Sequence, residues 1–191
     1  MRITGGQARG IPLLLPKGDS VRPATDALRQ AVFSSLAAQV PGARFLDLFA
    51  GSGAYGLEAF SRGAEGGVFV ENNTKAADCI RRNIAAVVKS LKGEARNLRV
   101  IETDAMTLPL ADGPAPDLVF IDPPYASIAE VAPRLFERLT ALLAGHPDPV
   151  VVFEMPGELS LTPAGWTCVK RLGKGARQPT ACIFKANRAG P

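Results

Sequence analysis

The chain has 191 residues, 47% of them hydrophobic, with 22 lysines and arginines against 18 aspartates and glutamates and a net charge of +4. That length is most simply one domain with a full core, and no apolar run approaches the roughly 18 residues of a membrane span. Cys79, Cys168 and Cys182 have neither C-x-x-C nor metal-ligand spacing, so no metal centre is expected and the chain reads as a cytoplasmic protein with reduced thiols.

The charge is unevenly spread. Residues 1–30 carry five basic and two acidic side chains, residues 166–191 six basic and none acidic, and the middle is net acidic. Basic ends of this kind suit phosphate contacts as well as a merely solvated face. The start, "MRITGGQARG", has charge but no apolar stretch and does not read as a secretory leader.

Residues 1–24 are punctuated by glycines and prolines around short apolar pieces such as "IPLLLP". They predict an N-terminal hairpin or arm packed on or beside the core, followed by the main domain over 25–191. Thr25 is placed to cap a helix running to about Val40, with Leu28, Val32 and Leu36 on one face. "RFLDLF" is a first strand, "YGLEAFSR" opens a helix, and "GGVFVE" is a second strand ending in Glu71. Apolar residues at Ile80, Ile84, Val87, Val88 and Leu91 give residues 74–91 a helical period. "LRVIETD" is a third strand, "PDLVFID" a fourth, residues 128–144 a helix, and "PVVVFEM" a fifth strand. The end reads as two strands around a basic loop, with Cys168 and Cys182 on facing strands and expected to pack in the core. His146 sits in the loop before the fifth strand and is expected to be solvated.

Strands alternating with helices across short links predict an α/β fold: a mostly parallel sheet with helices on both faces and an antiparallel edge from the terminal hairpin. Ligands then bind beyond the carboxyl ends of the strands, where Asp47, Glu71, Asp104 and Asp122 stand. Gly51–Gly56 spell G-x-G-x-x-G, with Glu71 twenty residues after Gly51. That pattern fits a dinucleotide, yet a tight strand-to-helix turn alone explains the glycines. Asp47 faces a pyrophosphate unfavourably and suits a cofactor with a cationic centre and an ammonium group, such as S-adenosylmethionine. Glu71 suits two ribose hydroxyls in either cofactor, and Asp104 an adenine amino group.

"IDPPYAS" adds the chemistry. Asp122 closes an apolar strand, Pro123 and Pro124 stiffen the chain after it, and Tyr125 follows the corner. An exocyclic amino group on a base is a poor nucleophile because its lone pair is delocalised. Asp122 and the Pro123 carbonyl can each accept one amino hydrogen, which localises that pair, while Tyr125 stacks on the base.

"DLFAGSGAYGLEAFSRGA", "VFVENN" and "FIDPPY" resemble class I S-adenosylmethionine-dependent methyltransferases of exocyclic amino groups. With the start "MRITGGQARGIPLLLPKGDSVRPATDALRQAVFSSL", the chain resembles the RsmD family over almost its whole length. The resemblance implies a Rossmann-like seven-stranded sheet with an antiparallel last strand. It also implies N2 methylation of one guanine in a hairpin loop of 16S ribosomal RNA, on an assembling small subunit. On the family's pattern, Asp47 and the turn of Phe49, Ala50, Gly51, Ser52 and Gly53 hold the methionine part, and Glu71 with Asn72 the ribose. Asp104 and Ala105 flank the adenine, and Asp122, Pro123, Pro124 and Tyr125 form the catalytic corner, with Asp122 also counted among the cofactor-binding residues. Ala24, Ala27, Gln30 and Leu172 depart from the family's usual residues. Arg2, Arg9, Lys17, Arg22, Lys174 and Arg177 are the candidates for RNA phosphate contacts, in a chain expected to be a monomer. The rivals are N6-adenine methylation, an NAD(P)- or flavin-dependent oxidoreductase, and a non-catalytic RNA-binding assembly factor.

Overall fold

The structure, a computed structural model, describes residues 1–16, 25–92, 97–109, 114–173, 175–176 and 178–187. Its strands are β1 Arg44–Leu48, β2 Gly66–Glu71, β3 Leu98–Glu102, β4 Leu118–Ile121, β5 Val150–Pro156, β6 Trp166–Leu172 and β7 Pro179–Ala186. They form one seven-stranded sheet in the order β3-β2-β1-β4-β5-β7-β6. The first five strands pair in parallel, and β7 runs antiparallel between β5 and β6.

Strand alternation divides the apolar side chains between two cores. Phe45, Phe69, Leu118, Phe120, Val150 and Val152 meet the helices α1 Asp26–Ser35, α2 Ala54–Ser61 and α3 Thr74–Ser90. Leu46, Leu48, Val119, Ile121, Val151 and Phe153 meet α4 Ile128–Leu142. Both faces are therefore covered, as expected of a parallel sheet, though unevenly.

Thr25 caps α1 through its side-chain oxygen, which accepts from Leu28 N–H at 3.1 Å. The helix ends at Ser35, short of Val40, because Leu36 leaves helical geometry and turns carry the chain to Pro41–Gly42. The arm buries Ile3, Ala8 and Leu13 in the α1–α3 core. Thr4 N–H and hydroxyl each donate to the buried Glu58 carboxylate at 2.7 Å, and Ala8 N–H donates to Ser61 Oγ at 2.9 Å. A hairpin-like bridge joins Arg2 to Pro12. These contacts fasten the arm to α2.

Three side chains depart from their expected settings. His146 is not simply solvated: its Nε2 meets Asp117 Oδ1 at 2.9 Å, and Asp117 also accepts from Arg44 N–H at 2.7 Å. This ties the amino ends of β1 and β4 to the loop before β5. Cys182 is buried as expected, and so is Cys79, but Cys168 is exposed, because β6 is the sheet edge. Arg29, counted above with the basic N-terminal segment, is fully buried.

Gly56 lies where α2 crosses β1 and β2. A Cβ there would run into the rings of Phe69 and Phe45, which pack edge to face at 5.2 Å. Gly56→Ala is expected to cost about 1–3 kcal/mol by overpacking, seen as a melting temperature several degrees lower. An unchanged melting temperature contradicts this.

Candidate active site

Chain connections leave β1 toward β2 on one side and β4 toward β5 on the other, so the sheet has its topological switch point between β1 and β4. The crevice beyond their carboxyl ends collects the predicted residues. After β1 the chain reverses through Phe49, Gly51 and Gly53, all left-handed at φ 57°, 55° and 76°. Glycine takes that conformation freely, whereas Phe49 holds it at a strain cost of order 1 kcal/mol or more. Ala50 N–H donates to Val70 O at 3.0 Å and pins the turn to β2.

Asp47 is buried, and its Oδ2 accepts from Gly56 N–H at 2.9 Å. Burial, countered by that hydrogen bond and helped by the Glu71 charge, pushes its carboxyl up to about 8. It lies beneath the turn, where it fixes the first turn of α2. Glu71, at the end of β2, accepts from Gly51 N–H at 2.8 Å and from Asn73 N–H at 2.9 Å. Each carboxylate oxygen keeps a lone pair for a further donor. Asn72 is exposed beside it.

Beyond β3, Asp104 is exposed and its Oδ1 accepts from Met106 N–H at 2.8 Å, while Ala105 is buried in the α4 core. The strand stops at Glu102, so Asp104 belongs to the following turn. Beyond β4, Asp122 is half-buried and Pro123 buried, while Pro124 and Tyr125 are exposed. Pro124 O takes two donors from Ser127, at 2.9 Å from its N–H and 2.8 Å from its hydroxyl, which closes the single 3-10 turn Tyr125–Ser127. Among the described residues nothing donates to the Asp122 carboxylate or to the Pro123 carbonyl. Burial, then the Glu154 and Asp47 charges, push Asp122 well above the usual carboxylate range.

The sequence reading missed two groups that hold this site. Asn83 of α3 donates through Nδ2 to Ser52 O at 2.8 Å and to Leu14 O at 3.0 Å, and its Oδ1 accepts from Leu14 N–H at 2.8 Å. It thereby joins the arm to the glycine turn. Glu154, inside the apolar strand β5, is fully buried and accepts from Tyr55 Oη at 2.8 Å. A polar residue at the inward phase of each element was the available signal.

Of the RNA-contact candidates, Arg9 is exposed, and Arg2 is exposed with its Nε 3.8 Å from Asp26. Lys17, Arg22, Lys174 and Arg177 lie outside the described residues. Trp166 and Phe33 are core residues and not exposed platforms for stacking on bases.

Glu71→Ala removes the acceptors that hold Gly51 and Asn73 as well as those free for a ligand. It is expected to weaken cofactor binding by at least about tenfold, or 1.4 kcal/mol, the scale of one charge-assisted hydrogen bond. Calorimetric titration with S-adenosylhomocysteine checks this, and unaltered affinity contradicts it.

The chain is similar to known proteins in sequence and in fold. Residues 1–182 match the family model described as "Conserved hypothetical protein 95". The chain is 36% identical over 168 residues to "Ribosomal RNA small subunit methyltransferase D" of Escherichia coli K12, covering 87% of this chain and 81% of that protein. It is 30% identical over 180 residues to the Haemophilus influenzae protein of the same name, covering 92% and 89%. The solved structure of yhhF from Escherichia coli superposes with a TM-score of 0.74 at 34% identity, over 97% of each chain. TrmN from Thermus thermophilus shares the fold, with a TM-score of 0.62 at 23% identity over 84% of this chain and 48% of that one. By sequence and by fold alike, this chain belongs to the family described as conserved hypothetical protein 95, the RsmD family of ribosomal RNA methyltransferases.

Proposed function

We propose that this chain methylates the exocyclic N2 amino group of a guanine in small-subunit ribosomal RNA, with the assembling small subunit as its substrate. The observation that carries the reading is the Asp122 corner. At the switch point the strand-end Asp122 carboxylate and the carbonyl of the next residue, Pro123, accept no hydrogen bond among the described residues, and the exposed Tyr125 ring follows. Two acceptors match the two hydrogens of an amino group.

The residues beyond the strand ends have the chemistry to hold S-adenosylmethionine, which when bound supplies an electrophilic methyl group on a sulfonium. The Phe49–Gly53 turn would hold its methionine part, Glu71 and Asn72 its ribose, and Asp104 and Ala105 its adenine. The buried Asp47 carboxyl beneath the turn is a natural counter-charge for a cation. Asp122 and Pro123 O accept the amino hydrogens and direct the nitrogen lone pair out of the ring plane. Tyr125 stacks on the base and fixes its approach. The nitrogen lone pair would form the new N–C bond as the methyl carbon's bond to sulfur breaks, the leaving group being the neutral thioether S-adenosylhomocysteine, and the nitrogen would release one proton, finally to water. A looped-out guanine reaches such a pocket at less cost than one in a duplex. The exposed Arg9 and Arg2 on the arm, with the basic C-terminal segment, are the phosphate-contacting groups.

Labelled methyl transfer to undermethylated small subunits, followed by nucleoside mass spectrometry, tests the proposal. N2-methylguanine is the expected product. N6-methyladenine, or RNA binding without methyl incorporation, overturns it.

A further inference from the structure

Two carboxyl groups converge on the catalytic corner from neighbouring strands. Leu118 and Phe120 of β4 face the α1–α3 core, and Asp122 is next in that phase. Val150 and Val152 of β5 face the same side, and Glu154 is next. Ile121 pairs with Phe153, so one further step sets Asp122 beside Glu154. Glu154 is fully buried. Its Oε2 is held by Tyr55, whose ring stacks on Phe120 at 5.4 Å and 17°. Its Oε1 has no hydrogen-bond partner among the described residues.

The other ionisable groups facing the pair are few. Asp47 of β1 bears on Asp122, and Tyr55 of α2 and Arg29 of α1 bear on Glu154. Arg29 is the cation of this layer, and its Nη2 also donates to Arg2 O at 2.6 Å and to Asp26 Oδ1 at 2.8 Å. Adjacent carboxylates in such surroundings do not both ionise readily.

We propose that Asp122 and Glu154 work as one unit holding a single proton, and that Glu154 is a positioning residue for methyl transfer. When an amino group docks on Asp122, the shared proton rests on Glu154 Oε1, and Asp122 is left ionised as an acceptor. Burial opposes the ionisation of both, and the Glu154 charge further opposes that of Asp122: Glu154 is raised to about 7 despite Tyr55 and Arg29, and Asp122 is pushed well above the usual carboxylate range. The positioning role rests on the reading of the corner as an amino-group methylation site. The shared proton does not.

The test is Glu154→Gln, with carboxyl-13C NMR titration of the full chain and the pH profile of methyl transfer to small subunits. In the parent, the Asp122 carboxyl should titrate in two coupled steps. In Glu154→Gln it should titrate in one step, about a pH unit or more lower, and the acid limb of kcat/KM should move with it. An Asp122 titration unmoved by the substitution overturns the proposal, since a merely structural Glu154 leaves it in place. A moved titration in a chain without methyl transfer overturns the functional reading alone. Tyr55→Phe, which only deprives Glu154 of a donor, should shift Asp122 the same way by less. It serves as the test where Glu154→Gln does not fold.

Discussion

Asp122→Ala is expected to lower methyl transfer by at least about 100-fold, the usual scale for deleting one preorganised polar group aimed at a reacting centre. Cofactor affinity should persist, because the glycine turn, Glu71 and the β3–α4 side of the crevice are untouched. Thermal stability should not fall either. Asp122 makes no side-chain hydrogen bond among the described residues, and its charge opposes those of Glu154 and Asp47. A loss of activity with unchanged or higher melting temperature therefore separates chemistry from folding. Asp122→Asn keeps one acceptor oxygen and should fall between parent and alanine, without the acid limb due to Asp122 ionisation. Full activity in Asp122→Ala contradicts the amino-acceptor role.

The parts of the site visible in the sequence are those encoded locally. Glycines after an apolar strand, an acid closing the next strand, and two prolines after a third acid each mark a strand end without knowledge of the neighbours. Asp47, Glu71 and Asp122 fall at the crevice for that reason. The buried polar layer is different, because its meaning comes from packing. Arg29 reads as one basic residue among several until α1 is laid on the sheet and buries it. Tyr55 occupies a variable position of the glycine pattern, and only the stacking of α2 over Phe120 brings its hydroxyl to Glu154. Glu154 did carry a local signal: an acid inside "VVVFEM" has no reason to be there unless something receives it. Its significance appears only when β4 and β5 are paired in register. His146 is a similar case, since Asp117 reaches it across the amino ends of the strands.

Stability is expected to fall as pH rises from about 4 toward 8, with Asp47 a leading cause. Its carboxyl moves from 3.8 to about 8 in the folded chain because it is buried. Between those values the folded state keeps a proton that the unfolded state has released, so each unit of rising pH favours unfolding. The full contribution is present below about 4, is lost progressively through the window, and levels off above about 8. At about 1.4 kcal/mol per unit the loss is several kcal/mol. Glu154, raised from 4.5 to about 7, and Asp122, raised well above its ordinary value, add to it in the same direction. Asp47→Asn retains an oxygen for Gly56 N–H and has no charge to bury, so it should flatten the profile and exceed the parent in stability at pH 8. Urea denaturation at pH 5, 6.5 and 8 measures this. A parent as pH-independent as the variant contradicts it. The same burial bears on binding. If the cofactor's cationic part binds above the glycine turn, the Asp47 carboxyl beneath it is expected to ionise and release its proton. Cofactor binding to the parent near pH 7 should therefore release a proton that Asp47→Asn does not, measurable as calorimetric heats that vary with the buffer's ionisation enthalpy. The stability lost by holding that carboxyl neutral in the free chain is then partly regained on binding, which makes Asp47 a group that favours the cofactor-loaded state over the empty one.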